Sequence, residues 1–230
     1  MKKIGLIGGL SWQSTVEYYR IINEESNRRL GGLDTAECIL YSVNLAEKLG
    51  RMTRGEYQQL GQEFLDVGQK LVAAGADMVL LCTNTMHAVY DTLSAGLSVP
   101  VLHIADATAA AIRRQGLTKV ALLGTPFTLT QPFYKDRLKQ LHGIDVVIPT
   151  PEQGAEIYRV IQEELTFHLL KESSRRYFLD VLDTLRAQGA QGVILGCTEI
   201  PLLIQQQHTD LPVFDTTTLH ALAAVDEALA

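Results

Sequence analysis

The amino-acid sequence predicts an α/β protein of two pseudo-symmetric lobes, each a mainly parallel sheet flanked by helices, with the active site in the interlobe cleft. Three observations carry that expectation. Short apolar runs alternate with longer amphipathic stretches along the whole chain, the pattern of parallel strands joined by crossover helices. Several segments recur in the same order at nearly constant spacing. The 230 residues, 47% hydrophobic and 20% charged, suffice for one sizeable core or two small ones.

Residues 3–7 read as the first strand. Their apolar stretch is very short for a secretory leader, and no small-x-small cleavage site precedes Trp12 and Gln13. A helix-like segment then runs to residue 29, a strand over 38–43, a helix to residue 74, and a strand over 78–81. Runs at 120–123, 146–148 and 193–195 continue the series, with helical patterns over 153–170 and 173–188 between them.

The repeat orders these elements. Residues 75–83 (GADMVLLCT) lie ungapped over 189–197 (GAQGVILGC), so Thr83 corresponds to Cys197 at an offset of 114. Near the same offset, 3–9 (KIGLIGG) match 119–125 (KVALLGT), and Val99-Pro100-Val101 matches Leu211-Pro212-Val213. The expected lobes are residues 1–100 with a returning 208–230, and residues 101–207. Ligands in such sheets bind beyond the carboxyl ends of the strands, which places Thr83 and Cys197 at equivalent strand ends facing the cleft.

Composition excludes several classes. With 20 basic and 26 acidic residues the formal charge is -6, so no basic footprint points to nucleic acid or anionic membranes. No apolar run approaches the roughly 20 residues of a spanning helix. Three scattered cysteines, at 38, 82 and 197, argue against a disulfide framework and for a reducing, cytoplasmic setting. The histidines are dispersed, and neither H-E-x-x-H nor paired C-x-x-C spacing occurs, so no metal is expected.

Cys197 follows an apolar run and Gly196, and precedes Thr198-Glu199-Ile200-Pro201, a cap leading into a helix. A helix dipole there would lower its pKa toward neutrality and make it a thiolate base or nucleophile. The alternative is a small buried cysteine completing the strand, and the repeat favours the former. Thr83-Asn84-Thr85-Met86-His87 occupies the matching turn, suited to a carboxylate nest or to plain helix capping. His87 reads as a satisfied core histidine. Cys82, alternating with Thr83, points away from the site into the core, and Cys38 reads likewise. The loop Gly8-Gly9-Leu10-Ser11 allows a tight turn and close approach to a ligand, but lacks dinucleotide or P-loop spacing. Gly124-Thr125-Pro126-Phe127-Thr128 is its counterpart.

Together, Gly8-Gly9-Leu10-Ser11-Trp12 with Ser14-Thr15, Cys82-Thr83-Asn84-Thr85-Met86-His87, Gly124-Thr125 with Thr128, and Gly196-Cys197-Thr198-Glu199 resemble the PLP-independent aspartate/glutamate racemase family, closest to its enterobacterial L-aspartate/glutamate, broad-specificity subgroup. The resemblance runs from the first strand to about residue 215. It implies a small amino-acid substrate, no cofactor, a homodimer, and proton transfer at Cα between two facing side chains. Carried onto this chain, the bases fall at Thr83 and Cys197. Asn84, Thr85 and Thr198 would hold the α-carboxylate, and Leu10, Ser11, Met52, Thr125, Thr128 and Glu199 would line the substrate.

Two departures stand out. The family usually has cysteine where this chain has Thr83, a threonine that its closest subgroup shares. A hydroxyl is a far weaker acid than a thiol, whose reference pKa is about 8.5, so proton delivery from Thr83 is expected to lag abstraction by Cys197. Many relatives also carry a lysine for a distal carboxylate where this chain has Thr166. Arg51, Arg54 and Lys171 are either substitutes or surface charges, and selectivity is expected to relax. Decarboxylation of a malonate, cis-trans isomerisation of a diacid, or a non-catalytic sensor of small acids are the rival readings.

Overall fold

The computed structural model describes all 230 residues. They divide into two compact units, Met1–Ile104 with Thr217–Ala230, and Ala105–Thr216. The first contains β1 (Ile4–Gly8), α1 (Trp12–Leu30), β2 (Cys38–Ser42), α2 (Leu45–Thr53), α3 (Tyr57–Ala73), β3 (Met78–Leu81), α4 (Tyr90–Gly96) and β4 (Val101–Leu102). From α5 (Ile104–Arg114) the chain passes to β5 (Lys119–Gly124), α6 (Pro126–Thr130), α7 (Pro132–His142), β6 (Asp145–Val147), α8 (Pro151–Glu163), α9 (Glu172–Ala187), β7 (Val193–Gly196), α10 (Ile200–Leu203) and β8 (Val213–Asp215). Helix α11 (Thr216–Leu229) returns to the first unit. Because β8 pairs with β7, the return begins at Thr217, later than the expected residue 208.

Each unit has a four-stranded sheet, ordered β2-β1-β3-β4 in the first and β6-β5-β7-β8 in the second, and every pairing is parallel. The repeat read from the sequence is therefore structural. Gly75 and Gly189, one before each third strand, share a left-handed φ of 99° and 95°. That conformation is nearly free for glycine only. The Asp77 N–H donates to the Lys3 carbonyl and the Gln191 N–H to the Lys119 carbonyl, each at 2.9 Å. The Asp77 and Gln191 side chains in turn accept from the Lys3 and Lys119 N–H groups.

Alternation along the strands selects what is buried. Ile4, Leu6, Met78, Leu80 and Cys82 share one face and pack with Tyr18, Ile21 and Ile22 of α1 and the small residues Ala221, Ala224, Val225 and Ala228 of α11. Cys82 is thus core, and Cys38 packs against the same cluster. Burial pushes the Cys38 thiol up to about 11 and that of Cys82 higher still. In the second unit Ala121, Leu123, Val193 and Leu195 meet α8 and α9 through Ile157, Val160, Phe178, Val181 and Leu185.

Two expected helices are shorter than their patterns. The helix to residue 74 breaks into α2 and α3 because Gly55 turns left-handed (φ 73°). The Gly55 and Glu56 N–H groups then close onto the Met52 and Arg51 carbonyls. Helix α8 is launched by a Thr150–Gln153 capping box and ends at Glu163 rather than 170, the chain reversing through His168 at φ 58°. The second and fifth apolar runs form β2 and β6, the latter one residue earlier than expected. No helix is long and apolar enough to cross a membrane.

Candidate active site

In both sheets the strand order reverses between the first and third strands, and parallel sheets bind ligands outside the carboxyl ends at such a reversal. The predicted residues cluster there, unit by unit. Leu10 and Ser11 follow β1, and Thr83, Asn84 and Thr85 follow β3. In the second unit Thr125 and Thr128 follow β5, and Cys197, Thr198 and Glu199 follow β7.

The loop after β1 is held by close packing. Val43 N–H donates to the Gly8 carbonyl and Gly9 N–H to Thr15 Oγ1, both at 2.9 Å. A Cβ on Gly9 would lie 2.1 Å from the Val43 carbonyl oxygen, and its φ of 84° is itself left-handed. Gly9→Ala is expected to destabilise the protein by about 3 kcal/mol and lower Tm by roughly 10 °C. A melting curve coinciding with that of the parent would contradict this. Ser11, at φ 132°, is strained for a non-glycine residue, at a cost on the order of 1–3 kcal/mol. It caps α1 through the Ser14 N–H and accepts from Thr15 Oγ1 on its carbonyl. Leu10 is buried beside it.

After β3, the Thr83 N–H folds back onto the Leu81 carbonyl at 2.8 Å, and the Thr83 carbonyl lies 2.8 Å from His87 Nδ1. Thr83 and Thr85 remain partly exposed while Asn84 and His87 are buried. His87 is the satisfied core histidine that the sequence suggested, with its second ring nitrogen accepting from the Ile104 N–H.

The other strand end carries Cys197. Cys197 Sγ–H donates to Glu199 Oε2 at 2.8 Å, and Thr198 Oγ1 donates to the same oxygen at 2.9 Å. Gly196 is required just before it. A Cβ there would press on the Leu123 carbonyl at 2.9 Å and on the Thr128 methyl at 3.1 Å. Buried Thr128 thus packs against the cysteine's approach, with its hydroxyl 3.3 Å from that of Thr125.

The expectation of a lowered Cys197 pKa is overturned. Desolvation, then the Glu199 charge and its hydrogen bond, raise the thiol well above its ordinary value. The Glu199 and Thr198 backbone N–H groups oppose the rise and are outweighed. The helix meant to supply a dipole is only the four residues of α10, and its cap position is the negatively charged Glu199. The group is a thiol hydrogen-bonded to a carboxylate that favours its protonated form. Glu199, read from sequence as lining the substrate, is the thiol's partner.

Met52, expected to line the substrate, sits on α2 and is 5% exposed. The three candidate grips for a distal carboxylate all have carboxylate partners. Arg51 pairs with Glu56 and Glu63, Arg54 with Glu56, and Lys171 with Glu164. Glu164 is 2% exposed and also bonded by Ser174 and Arg159, so Lys171, itself exposed, neutralises a buried carboxylate. Thr166 spends its hydroxyl on the Ile161 carbonyl. No three His, Cys, Asp or Glu side chains gather in a geometry that could hold a metal ion.

The sheet order and the strand-end thiol, threonines and glycines define a duplicated α/β protein with the groups for acid–base chemistry on a small molecule. Residues 7–224 match the Asp/Glu/hydantoin racemase family, and the chain belongs to that family. It is similar throughout to a provisionally assigned Asp/Glu racemase from Yersinia pestis (47% identical, all of both chains, TM-score 0.96). It also resembles PH1733, an aspartate racemase homologue from Pyrococcus horikoshii (35%, all of both chains, TM-score 0.90). The broad specificity amino-acid racemase RacX of Bacillus subtilis is 23% identical over 99% of this chain and 98% of its own.

Proposed function

We propose that this chain racemises α-amino acids by two proton transfers at Cα. Cys197 removes the proton from the L-enantiomer, and Thr83 delivers one to the opposite face. The observation that carries this reading is the Cys197–Glu199 hydrogen bond at the end of β7, at the position matching Thr83 in the other half of the repeat. Glu199 accepts the thiol proton as Sγ takes that of Cα, so that no free thiolate need stand at rest. Backbone N–H groups and the hydroxyls and amide of Asn84, Thr85 and Thr198 suit a carboxylate gaining enolate character, where preorganised donors contribute most.

Family membership and the names of the relatives support an amino-acid substrate, with aspartate and glutamate as first choices. The paired state of Arg51, Arg54 and Lys171 supports relaxed selectivity, since a distal carboxylate would have to displace a partner of each. Chiral chromatography after incubation with single-enantiomer amino acids tests the reading. The antipode at unchanged mass is expected; released CO2, or an unaltered enantiomer throughout the panel, would contradict it.

Glu199→Gln separates the two effects of that carboxylate. Racemisation is expected to fall about 100-fold with loss of the proton acceptor. The pH midpoint for iodoacetamide alkylation of Cys197 should meanwhile move down, since the raising charge is gone. An unmoved midpoint would contradict the assigned pairing.

The functional form is a homodimer. Helix α1 exposes Trp12 (66%), Val16 and Tyr19 on one face, and edge strand β2 and α2 add Leu40, Tyr41, Leu45 and Leu49. Apolar exposure on that scale marks association surfaces. Sedimentation equilibrium should give twice the chain mass for the parent and a monomer for a Trp12→Glu, Tyr19→Glu double variant; a monomeric parent would refute it. Three free cysteines are consistent with a reducing, cytoplasmic setting.

A further inference from the structure

Behind the Thr83 turn lies a buried cluster that the proton-transfer chemistry does not use. It comprises His87, His103 and His220 with Tyr18, all buried, and the partly buried Tyr90 at its edge, drawn from α1, the β3 turn, the start of α4, the end of β4 and α11. The hydrogen bonds fix two of its tautomers. A carbonyl only accepts, so His87 Nδ1 carries the proton it presents to Thr83 O at 2.8 Å. A backbone N–H only donates, so His87 Nε2 is bare toward Ile104 at 3.2 Å. His220 is the reverse, with Nε2–H on the Leu102 carbonyl at 3.1 Å and Nδ1 accepting from the Tyr18 hydroxyl at 2.8 Å. Packed at 4.6 Å against the tilted ring of His103 and edge-on at 5.5 Å from His220, the His87 ring has little freedom to turn.

We propose that His87 is a positioning residue for the Thr83 half-reaction, its imidazole clamping the Thr83 carbonyl to the Ile104 N–H so that the hydroxyl is held at the productive distance from Cα. This rests on the racemase reading above. The Thr83 N–H is already committed to Leu81 and its carbonyl to the ring, so both ends of the residue's backbone are pinned and the side chain inherits a fixed origin. A displacement of about 1 Å at a reacting group can cost on the order of 100-fold in rate. The clamp bears on one side of the substrate only, because Cys197 is set by Gly196, Thr128 and Glu199.

Two near-isosteric variants divide the ring's bonds. In His87→Asn the amide nitrogen replaces Nδ1, keeping the Thr83 bond and losing the Ile104 one. In His87→Gln the amide oxygen replaces Nε2, keeping Ile104 and freeing Thr83. The readout is the ratio of racemisation to α-hydrogen washout from the L-enantiomer in deuterated water. We expect His87→Gln to lower that ratio about tenfold or more through kcat, with KM and washout within about twofold of the parent. His87→Asn should keep the ratio within about threefold. Proportional losses of both rates, or a ratio lowered by Asn as much as by Gln, would mean that His87 supports only the fold and would overturn the proposal. A parent with neither washout nor racemisation would instead count against the racemase reading. The clamp is tested without activity by nitrogen-15 imidazole spectra of the parent, where a proton on His87 Nε2 rather than Nδ1 would refute it.

Discussion

Cys197→Ala will lose racemase activity by about 1,000-fold or more, with the fold intact. A positioned general base contributes typically about 100- to 10,000-fold, and no other sulfur can take over. Cys82 is sealed in the core behind the same strand-end pattern, and Cys38 lies on β2 against that core. The cost to stability should be small, since Cys197 is only partly buried and its hydrogen bonds run to Thr198 and Glu199, its neighbours in the chain. Polarimetry of both enantiomers, with a thermal melt as control, checks this. Retention of more than a tenth of parental activity would remove Cys197 from the chemistry.

Thr83→Cys is expected to raise racemisation, by about 100-fold. Brønsted behaviour rewards a donor whose pKa lies near the working pH, and a thiol at about 8.5 is far closer than an aliphatic hydroxyl. Thr83 is partly exposed, and a thiol is close in size to the hydroxyl it replaces, so a sulfur fits without rebuilding the turn. The gain must appear in both directions. Enantiomers have equal free energy, so kcat/KM for L to D equals that for D to L whatever stands at residue 83. Progress curves from each enantiomer measure it. A variant no faster than the parent would show that delivery by Thr83 is not the slow step.

Much of this was legible in the sequence because it rests on local pattern and repetition. The alternation of apolar runs located all eight strands' neighbourhoods except the short β4 and β8, and the 75–83/189–197 match anticipated two similar lobes, whose sheets share one strand order. Period-two alternation sent Cys82 to the core and left Thr83 at the strand end. What escaped depends on contacts between residues distant in sequence, or on a charge's precise neighbour. The dipole argument at Cys197 needed the length of α10, which Ile204 ends after one turn, and the orientation of the Glu199 carboxylate. The pairing of Lys171 with buried Glu164 needed the reversal at His168. The imidazole cluster joins residues 18, 87, 103 and 220, and no spacing in the chain announces it.

The division of labour between sulfur and hydroxyl is tested most directly by proton NMR of an L-amino acid in deuterated water with Thr83→Ala. The account predicts that the α-proton signal still disappears, through Cys197, while the D-enantiomer accumulates at least about 100-fold more slowly than with the parent. A D-enantiomer formed at the parental rate, or loss of α-proton exchange together with racemisation, would contradict it.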